Sequence, residues 1–213
     1  MELVVVAASR AKRVMDVVGA ALLLVLFSPV IAVIAMAILM TSGGPVLFRQ
    51  VRPGLHGEPF TLHKFRTMRD PRPDEEAWTT DEVRTTRLGR FLRRTSLDEL
   101  PELTLVLTGR MSLVGPRPLI MEYLPRYSAR HARRHDVRPG ITGLTQVSGR
   151  RSLTFGQRLD LDVSYLDNWS LRLDLKILLR TVAEPFRRGE IVGQTPAEVD
   201  DIGLVPPVLE RIR

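Results

Sequence analysis

Asp98 and Glu99 stand side by side in the stretch Arg93-Arg94-Thr95-Ser96-Leu97-Asp98-Glu99-Leu100-Pro101-Glu102-Leu103. Adjacent carboxylates beside arginines, just ahead of a proline-marked helix start, have two readings. One is structural: Ser96-x-x-Glu99 fits a capping box. With Ser96 as the cap, however, Pro101 falls at the fifth helical position, where its N–H is needed. With Asp98 as the N-cap it falls at the third, where no hydrogen bond is lost. The other reading is chemical. An Asp at a helix N-terminus is held ionised by the helix dipole, ready between cations. Spacing alone favours capping. A second pole is Gly115-Pro116-Arg117-Pro118. Its two prolines stiffen the backbone that presents Arg117, which suits a fixed phosphate and equally suits a loop corner. Gly140, Gly143 and Gly149 punctuate residues 141–150, a backbone able to approach a ligand closely. His131 and His135 are four apart, but Arg130, Arg133, Arg134 and Arg138 crowd them and would repel a metal cation, so a structural role is expected.

The elements that must hold these residues are legible in outline. Residues 17–40 contain no charge over 24 positions, enough for a helix of ~36 Å against ~30 Å of hydrocarbon. The run is too long for the centre of a signal peptide. Ser28-Pro29 interrupts it, and proline kinks helices. Arg10, Lys12 and Arg13 precede it and Arg49 and Arg52 follow it closely, so the positive flanks favour the cytoplasm on both sides. A helix that enters, bends at Ser28-Pro29 and leaves by the same face satisfies both flanks; a simple span is the alternative. Thr41-Ser42-Gly43-Gly44-Pro45 ends the helix. Residues 46–51 and 59–68 read as two strands of a β-hairpin, with Phe60, Leu62, Lys64 and Arg66 on one face of the second. Residues 69–86 read as an exposed loop. Helices are expected over 88–94, 98–108, 118–135, 160–168 and 173–188. In the last, Leu173, Ile177, Leu178, Val182 and Phe186 recur at helical spacing, with Arg172, Lys176, Arg180 and Arg187 opposite or flanking. That amphipathic pattern suits a membrane surface or a core-facing helix equally. Val-Arg-Pro-Gly occurs at 51–54 and again at 137–140, two similar turns rather than a repeat architecture.

These readings lead to the expectation of an α+β fold, mainly helical: a re-entrant membrane helix-hairpin over 1–45, a globular domain holding the candidate chemistry over 46–192 and a tail over 193–213. The 213 residues carry 31 Lys+Arg against 24 Asp+Glu, net +7, with no cysteine. Disulfides, Fe–S clusters, thiolate zinc and cysteine nucleophiles are excluded. Only Lys12, Lys64 and Lys176 are lysines; the other 28 cations are arginines, whose fork suits phosphates and carboxylates. A membrane-anchored basic protein that binds anionic lipid or nucleic acid without catalysis is the competing class. A sequence pI near 10.6 motivates it. Aromatics are only 6% and no nucleic-acid motif appears, so no nucleic-acid partner is expected.

Taken together, the motifs resemble the small monotopic phosphoglycosyl transferases, the bacterial sugar transferase family. The matching stretches are Lys12-Arg13, Phe27-Ser28-Pro29-Val30, Gln50-Val51-Arg52-Pro53-Gly54, Lys64-Phe65-Arg66-Thr67-Met68, Ser96-Leu97-Asp98-Glu99-Leu100, Val114-Gly115-Pro116-Arg117-Pro118, Arg138-Pro139-Gly140-Ile141-Thr142-Gly143 and Gln146-Val147-Ser148-Gly149-Arg150. They lie in family order over residues 12–180. The extra N-terminal spanning helices of larger members are absent, which suggests the minimal catalytic form. The resemblance implies transfer of a sugar phosphate from a UDP-sugar to polyprenyl (undecaprenyl) phosphate, with release of UMP. It implies that Asp98 is the nucleophile of a covalent aspartyl-phosphosugar intermediate and that Asp98 and Glu99 hold Mg²⁺. It also implies a re-entrant helix broken at Ser28-Pro29. Two like charges at 4 Å cost ~4 kcal/mol at an effective dielectric near 20, so a carboxylate attacking a diphosphate needs cations beside it. Candidates are Lys64, Arg93, Arg117 and Arg150. The expected location is the bacterial inner membrane, among phospholipids, with the catalytic domain on the cytoplasmic face. Which UDP-sugar is used stays open, as does the oligomeric state, a homodimer included.

Overall fold

The computed structural model describes residues 9–70, 81–149, 153–183 and 200–203. Helix α1 (Arg10–Ser42) is 33 residues long, long and apolar enough to cross a membrane. The Ser9 hydroxyl caps its start by accepting from the Lys12 N–H. Gly43, in left-handed backbone, ends it by donating to the Leu39 carbonyl. Pro29 lies inside, and the Ser28 hydroxyl donates to the Val25 carbonyl at 2.8 Å. The helix is unbroken in secondary structure from Arg10 to Ser42. Yet both of its ends are buried on the same body. Lys12, Asp16 and Ala20 are buried at one end and Ile34 and Ile38 at the other, while Leu22, Val25 and Leu26 between them are exposed.

Strands β1 (Leu47–Pro53) and β2 (Pro59–Phe65) form the expected antiparallel hairpin. His56 and Gly57 take positive φ in its turn. Arg52 pairs with Phe60, Gln50 with Leu62 and Phe48 with Lys64. These residues therefore share one face, and Phe60 and Leu62 bury it. Helix α2 (Arg87–Thr95) is capped by Thr86, whose hydroxyl accepts from the Gly89 N–H at 2.9 Å. Gly89 packs so tightly on the Thr67 backbone that a Cβ there would collide with it.

The expected helix over 98–108 is split into a 3₁₀ turn, Leu97–Glu102, and helix α3 (Leu103–Leu107). The expected helix over 118–135 does not form as one element. It breaks into 3₁₀ turns at Met121–Arg126 and Arg133–Asp136 around one α-turn, Ala129–Ala132. Pro125 cannot sustain an α-helical ladder, and Ser128 starts a new turn by capping the His131 N–H. A parallel pair that the sequence reading lacked joins β3 (Ser112–Val114) to β4 (Gly140–Thr142). Helix α4 (Phe155–Asp167) begins with a full capping box between Thr154 and Gln157, five residues earlier than expected.

Helix α5 (Leu171–Ala183) carries two apolar faces. Asp174 and Ile177 face the core, with Leu173 and Leu178 packed beside them. Leu171, Leu175, Leu179 and Val182 face outward with Arg172, Lys176 and Arg180. Val182 thus belongs to the outer stripe, not the inner one, and Phe186 and Arg187 fall outside the described residues. The main core gathers Phe60, Leu62, Val106, Met111, Val114 and Tyr165. A second cluster joins Ile34 and Ile38 of α1 to Phe65 and Leu92.

Candidate active site

Ser96 sets the geometry of the site. It sits in left-handed backbone, φ 57°, ψ 18°, and closes α2 while opening the turn Leu97–Glu102. Such backbone costs a non-glycine residue energy and recurs at functional sites. The Ser96 side chain makes no cap, and Asp98 is the second residue of the turn rather than its cap. Both capping readings are therefore corrected: the chain reverses through backbone conformation, which leaves both carboxylates available.

Glu99 Oε1 accepts from Lys64 Nζ at 2.6 Å and from Arg117 Nη2 at 2.7 Å. Lys64 also lies 3.0 Å from Glu102 Oε1. Lys64 comes from β2, Arg117 from the segment after β3, and the two glutamates from the 3₁₀ turn, so three elements meet here. Burial opposes ionisation of Glu99, but Arg117 and Lys64 overcome it and hold its carboxyl far below the usual range. Burial pushes Glu102 up to about 7, with Lys64 opposing and Glu99 reinforcing the shift. Asp98 is also buried, 9% exposed. Burial and then Glu99 raise its pKa, against Lys64, Arg117 and Arg93. Asp98 has no hydrogen bond or ion pair among the described residues. Arg93 is within electrostatic range of Asp98, and its Nε donates to Thr67 Oγ1 at 2.9 Å.

The loop that carries Arg117 is clasped from behind. Gly115 N–H donates to the Thr142 carbonyl and Gly140 N–H to the Pro116 carbonyl. Gly115, Gly140 and Gly143 pack backbone against backbone, where any Cβ would collide. The glycines at 140 and 143 thus bring the chain close to itself, not to a ligand. The buried Arg134 donates through Nη2 to the Arg117 carbonyl at 2.6 Å and is held by Asp162 Oδ2 and the Tyr127 hydroxyl. Lys12 at the base of α1 reaches the same loop, donating to the Val114 carbonyl at 3.0 Å. His135 is buried beside Tyr127, and its pKa is lowered to about 4 by burial and Arg134. His131 contacts Asp160. The two histidines have separate partners and make no metal pair.

Of the six polar site residues expected from the sequence, Asp98, Glu99, Lys64, Arg93 and Arg117 come together; Arg150 lies outside the described residues. Ser28 and Pro29 lie in the exposed middle of α1, away from this cluster. Glu102, Arg134 and Asp162 were not anticipated. Glu102 could have been found from its position three residues after Glu99; the Arg134–Asp162 pair left no signal in an arginine-rich run. No group of three or more metal-ligating side chains occurs among the described residues. The donor set nonetheless fits a hard dication that one or two carboxylates and ligand phosphates hold between them: among the described residues Asp98 has no hydrogen-bond partner, and Glu99 engages its cations through Oε1.

The comparisons with known proteins identify the family. The bacterial sugar transferase family model matches residues 7–188. A sugar transferase of Bacillus subtilis (strain 168), EpsL, named as uncharacterized, is 53% identical over 171 residues, covering 80% of this chain and 85% of its own. The UDP-glucose:undecaprenyl-phosphate glucose-1-phosphate transferase of Caulobacter vibrioides is 50% identical over 187 residues, covering 83% of this chain and 70% of its own. The protein of the same name in Escherichia coli (strain K12) is 43% identical over 185 residues. There the match covers 82% of this chain but only 40% of the longer relative. With its motif residues converging on one carboxylate cluster and the family model spanning nearly the whole chain, this protein belongs to the bacterial sugar transferase family.

Proposed function

We propose that the protein transfers a sugar 1-phosphate from a UDP-sugar to undecaprenyl phosphate, releasing UMP and giving an undecaprenyl-diphosphate sugar. The observation that carries this reading is the buried, unpartnered carboxylate of Asp98 beside Lys64, Arg117 and Arg93. The names of the Caulobacter and Escherichia relatives support the substrates, and they make UDP-glucose the first donor to test.

The chemistry proposed has two steps. An Asp98 carboxylate oxygen attacks the sugar-side phosphorus of the donor. The bond from that phosphorus to the bridging oxygen breaks, and UMP leaves with the electron pair. A phosphate oxygen of undecaprenyl phosphate then attacks the same phosphorus, and the Asp98 carboxylate is restored. Glu99 orders Lys64 and Arg117 on one oxygen and so fixes two cations at the edge of the reacting centre. Asp98 and the second oxygen of Glu99 would hold Mg²⁺, which supplies charge neutralisation at the phosphates when bound.

The same-face course of α1 is part of this proposal. A straight helix of 33 residues is ~50 Å long, and a straight span through ~30 Å of hydrocarbon would carry its two ends to opposite sides. Burial of Lys12 and Ile38 against one body favours a helix that dips in and returns. The outward Leu stripe and basic residues of α5 suit the same interface. A catalytic domain on the cytoplasmic face of the inner membrane would then meet both the nucleotide sugar and the lipid phosphate. The test is UMP release by the purified protein in nanodiscs with Mg²⁺, undecaprenyl phosphate and a panel of UDP-sugars. Turnover with one donor, dependent on the lipid, is expected; no turnover with any donor by a folded protein would overturn the reading.

A further inference from the structure

Lys64 and Arg117 are already neutralised, by Glu99 and Glu102. Arg52 is not. Its position in β1 puts it on the hairpin face that also carries Gln50, Phe60, Leu62 and Lys64. Its Nη2 donates to Gln50 Oε1 at 2.6 Å. Its Nε is buried without a hydrogen-bond partner. No ion pair engages it among the described residues, and its electrostatic neighbours are Arg117, Glu122, Tyr123 and Glu102. Burial, then Arg117, lowers its pKa.

A half-buried guanidinium next to a second cation, using one donor of five, is costly to keep in the free protein. Two neighbouring guanidiniums form a ready fork for a tetrahedral dianion, and arginine is the residue whose donors match phosphate oxygens in pairs. The sequence reading placed Arg52 at a positive flank of the membrane helix and in the matching stretch Gln50-Val51-Arg52-Pro53-Gly54, but not among the candidate phosphate ligands. Resting on the function proposed above, we infer that Arg52 binds a phosphate group of a substrate at the same site, forming with Arg117 a two-arginine clamp. The phosphate belongs either to the donor diphosphate or to the polyprenyl phosphate acceptor. Because Arg52 has no ion pair among the described residues, an incoming phosphate supplies its missing counter-ion without first breaking an ion pair of Arg52.

The experiment measures binding rather than turnover, with full-length protein in nanodiscs. The probes are UDP for the donor arm, farnesyl phosphate for the acceptor arm and uridine as the phosphate-free control. Arg52→Ala is expected to weaken binding in at least one phosphate arm by about tenfold or more, the usual scale for a lost charge-assisted hydrogen bond, and to leave uridine unchanged. The arm that falls identifies the phosphate. Arg52→Lys, which keeps the charge and loses the fork, is expected to fall by about threefold in the same arm, and it carries the test if Arg52→Ala does not fold. Wild-type affinity for both phosphate probes in folded Arg52→Ala, or in Arg52→Lys where the alanine variant fails to fold, overturns the inference, as does a wild-type protein that binds neither. Asp98→Asn separates this from the catalytic reading. If it retains transfer, the covalent reading fails while the Arg52-dependent binding stands.

Discussion

Asp174 and Asp98 are both buried carboxylates near cations, yet their surroundings differ completely. Asp174 accepts from Lys12 Nζ at 2.7 Å, from Trp169 Nε1 at 3.1 Å and from the Tyr165 hydroxyl at 2.8 Å. Asp162 is saturated in the same way by Arg134 and Thr145, and Asp16 by Ser112 and the Leu113 N–H. Asp98 accepts nothing among the described residues. Lys64 and Arg117 are turned instead to Glu99. Saturated buried networks fix one arrangement of the chain, whereas a buried carboxylate left open is retained at a cost in stability. The scaffold networks join α1, α4 and α5 to the segment that leads into Arg117. The contrast separates what builds the site from what the site would do.

Substituting the buried carboxylate of each region should therefore have opposite effects. Asp98→Asn is expected to lower transfer by at least about 1,000-fold without lowering the melting temperature, since it removes a charge that burial already disfavours. Retained activity, read as UMP release, would join Asp98 to the scaffold class. Asp174→Ala should do the reverse to stability. It strands the buried Lys12 and is expected to cost about 3–5 kcal/mol by denaturant unfolding; a cost below about 1 kcal/mol would break the comparison.

Two smaller effects sharpen it. Glu102 has a folded pKa near 7, above its unfolded value of 4.5. The folded state therefore binds the extra proton between these values, and this contribution to stability is present below pH 4.5 and lost as pH rises through 7. Glu102→Gln is expected to flatten that fall in a series of melts from pH 5 to 8. His135 has the opposite sign. Its folded pKa is depressed to about 4, so its contribution is present above 6.5 and lost as pH falls towards 4; it should survive in Glu102→Gln. The smallest effect belongs to the exposed Arg133–Asp167 pair at 2.6 Å. Asp167→Asn is expected to change stability by less than about 1 kcal/mol, and a larger loss would show that distance alone, without burial, governs these pairs.

The sequence was informative where physics acts locally. The uncharged run of α1 and the alternation of Phe60, Leu62 and Lys64 were readable because periodicity and hydrophobicity are properties of neighbours. Asp98, Glu99, Lys64, Arg93 and Arg117 were picked out through a resemblance that no single motif could carry. The failures lie where distant chain decides. Ser112–Val114 and Gly140–Thr142 are three-residue strands whose pairing depends on three glycines meeting across the fold. Ser96 looked like a cap because its spacing to Glu99 was right, but its left-handed backbone sends the chain elsewhere. The stripe that includes Val182 suited a core or a membrane surface equally, because α5 has apolar residues on two faces and helical spacing cannot say which one is inside.

The central claim is that Asp98 is open because it becomes covalently bonded in the reaction. Intact-protein mass spectrometry, after incubation with the active UDP-sugar and Mg²⁺ and no lipid acceptor, tests it most directly. The account predicts a sugar-phosphate adduct on the wild-type chain, mapped to Asp98, with one UMP released per adduct and neither product from Asp98→Asn. UMP that appears only after undecaprenyl phosphate is added, with no adduct at any time, would contradict it.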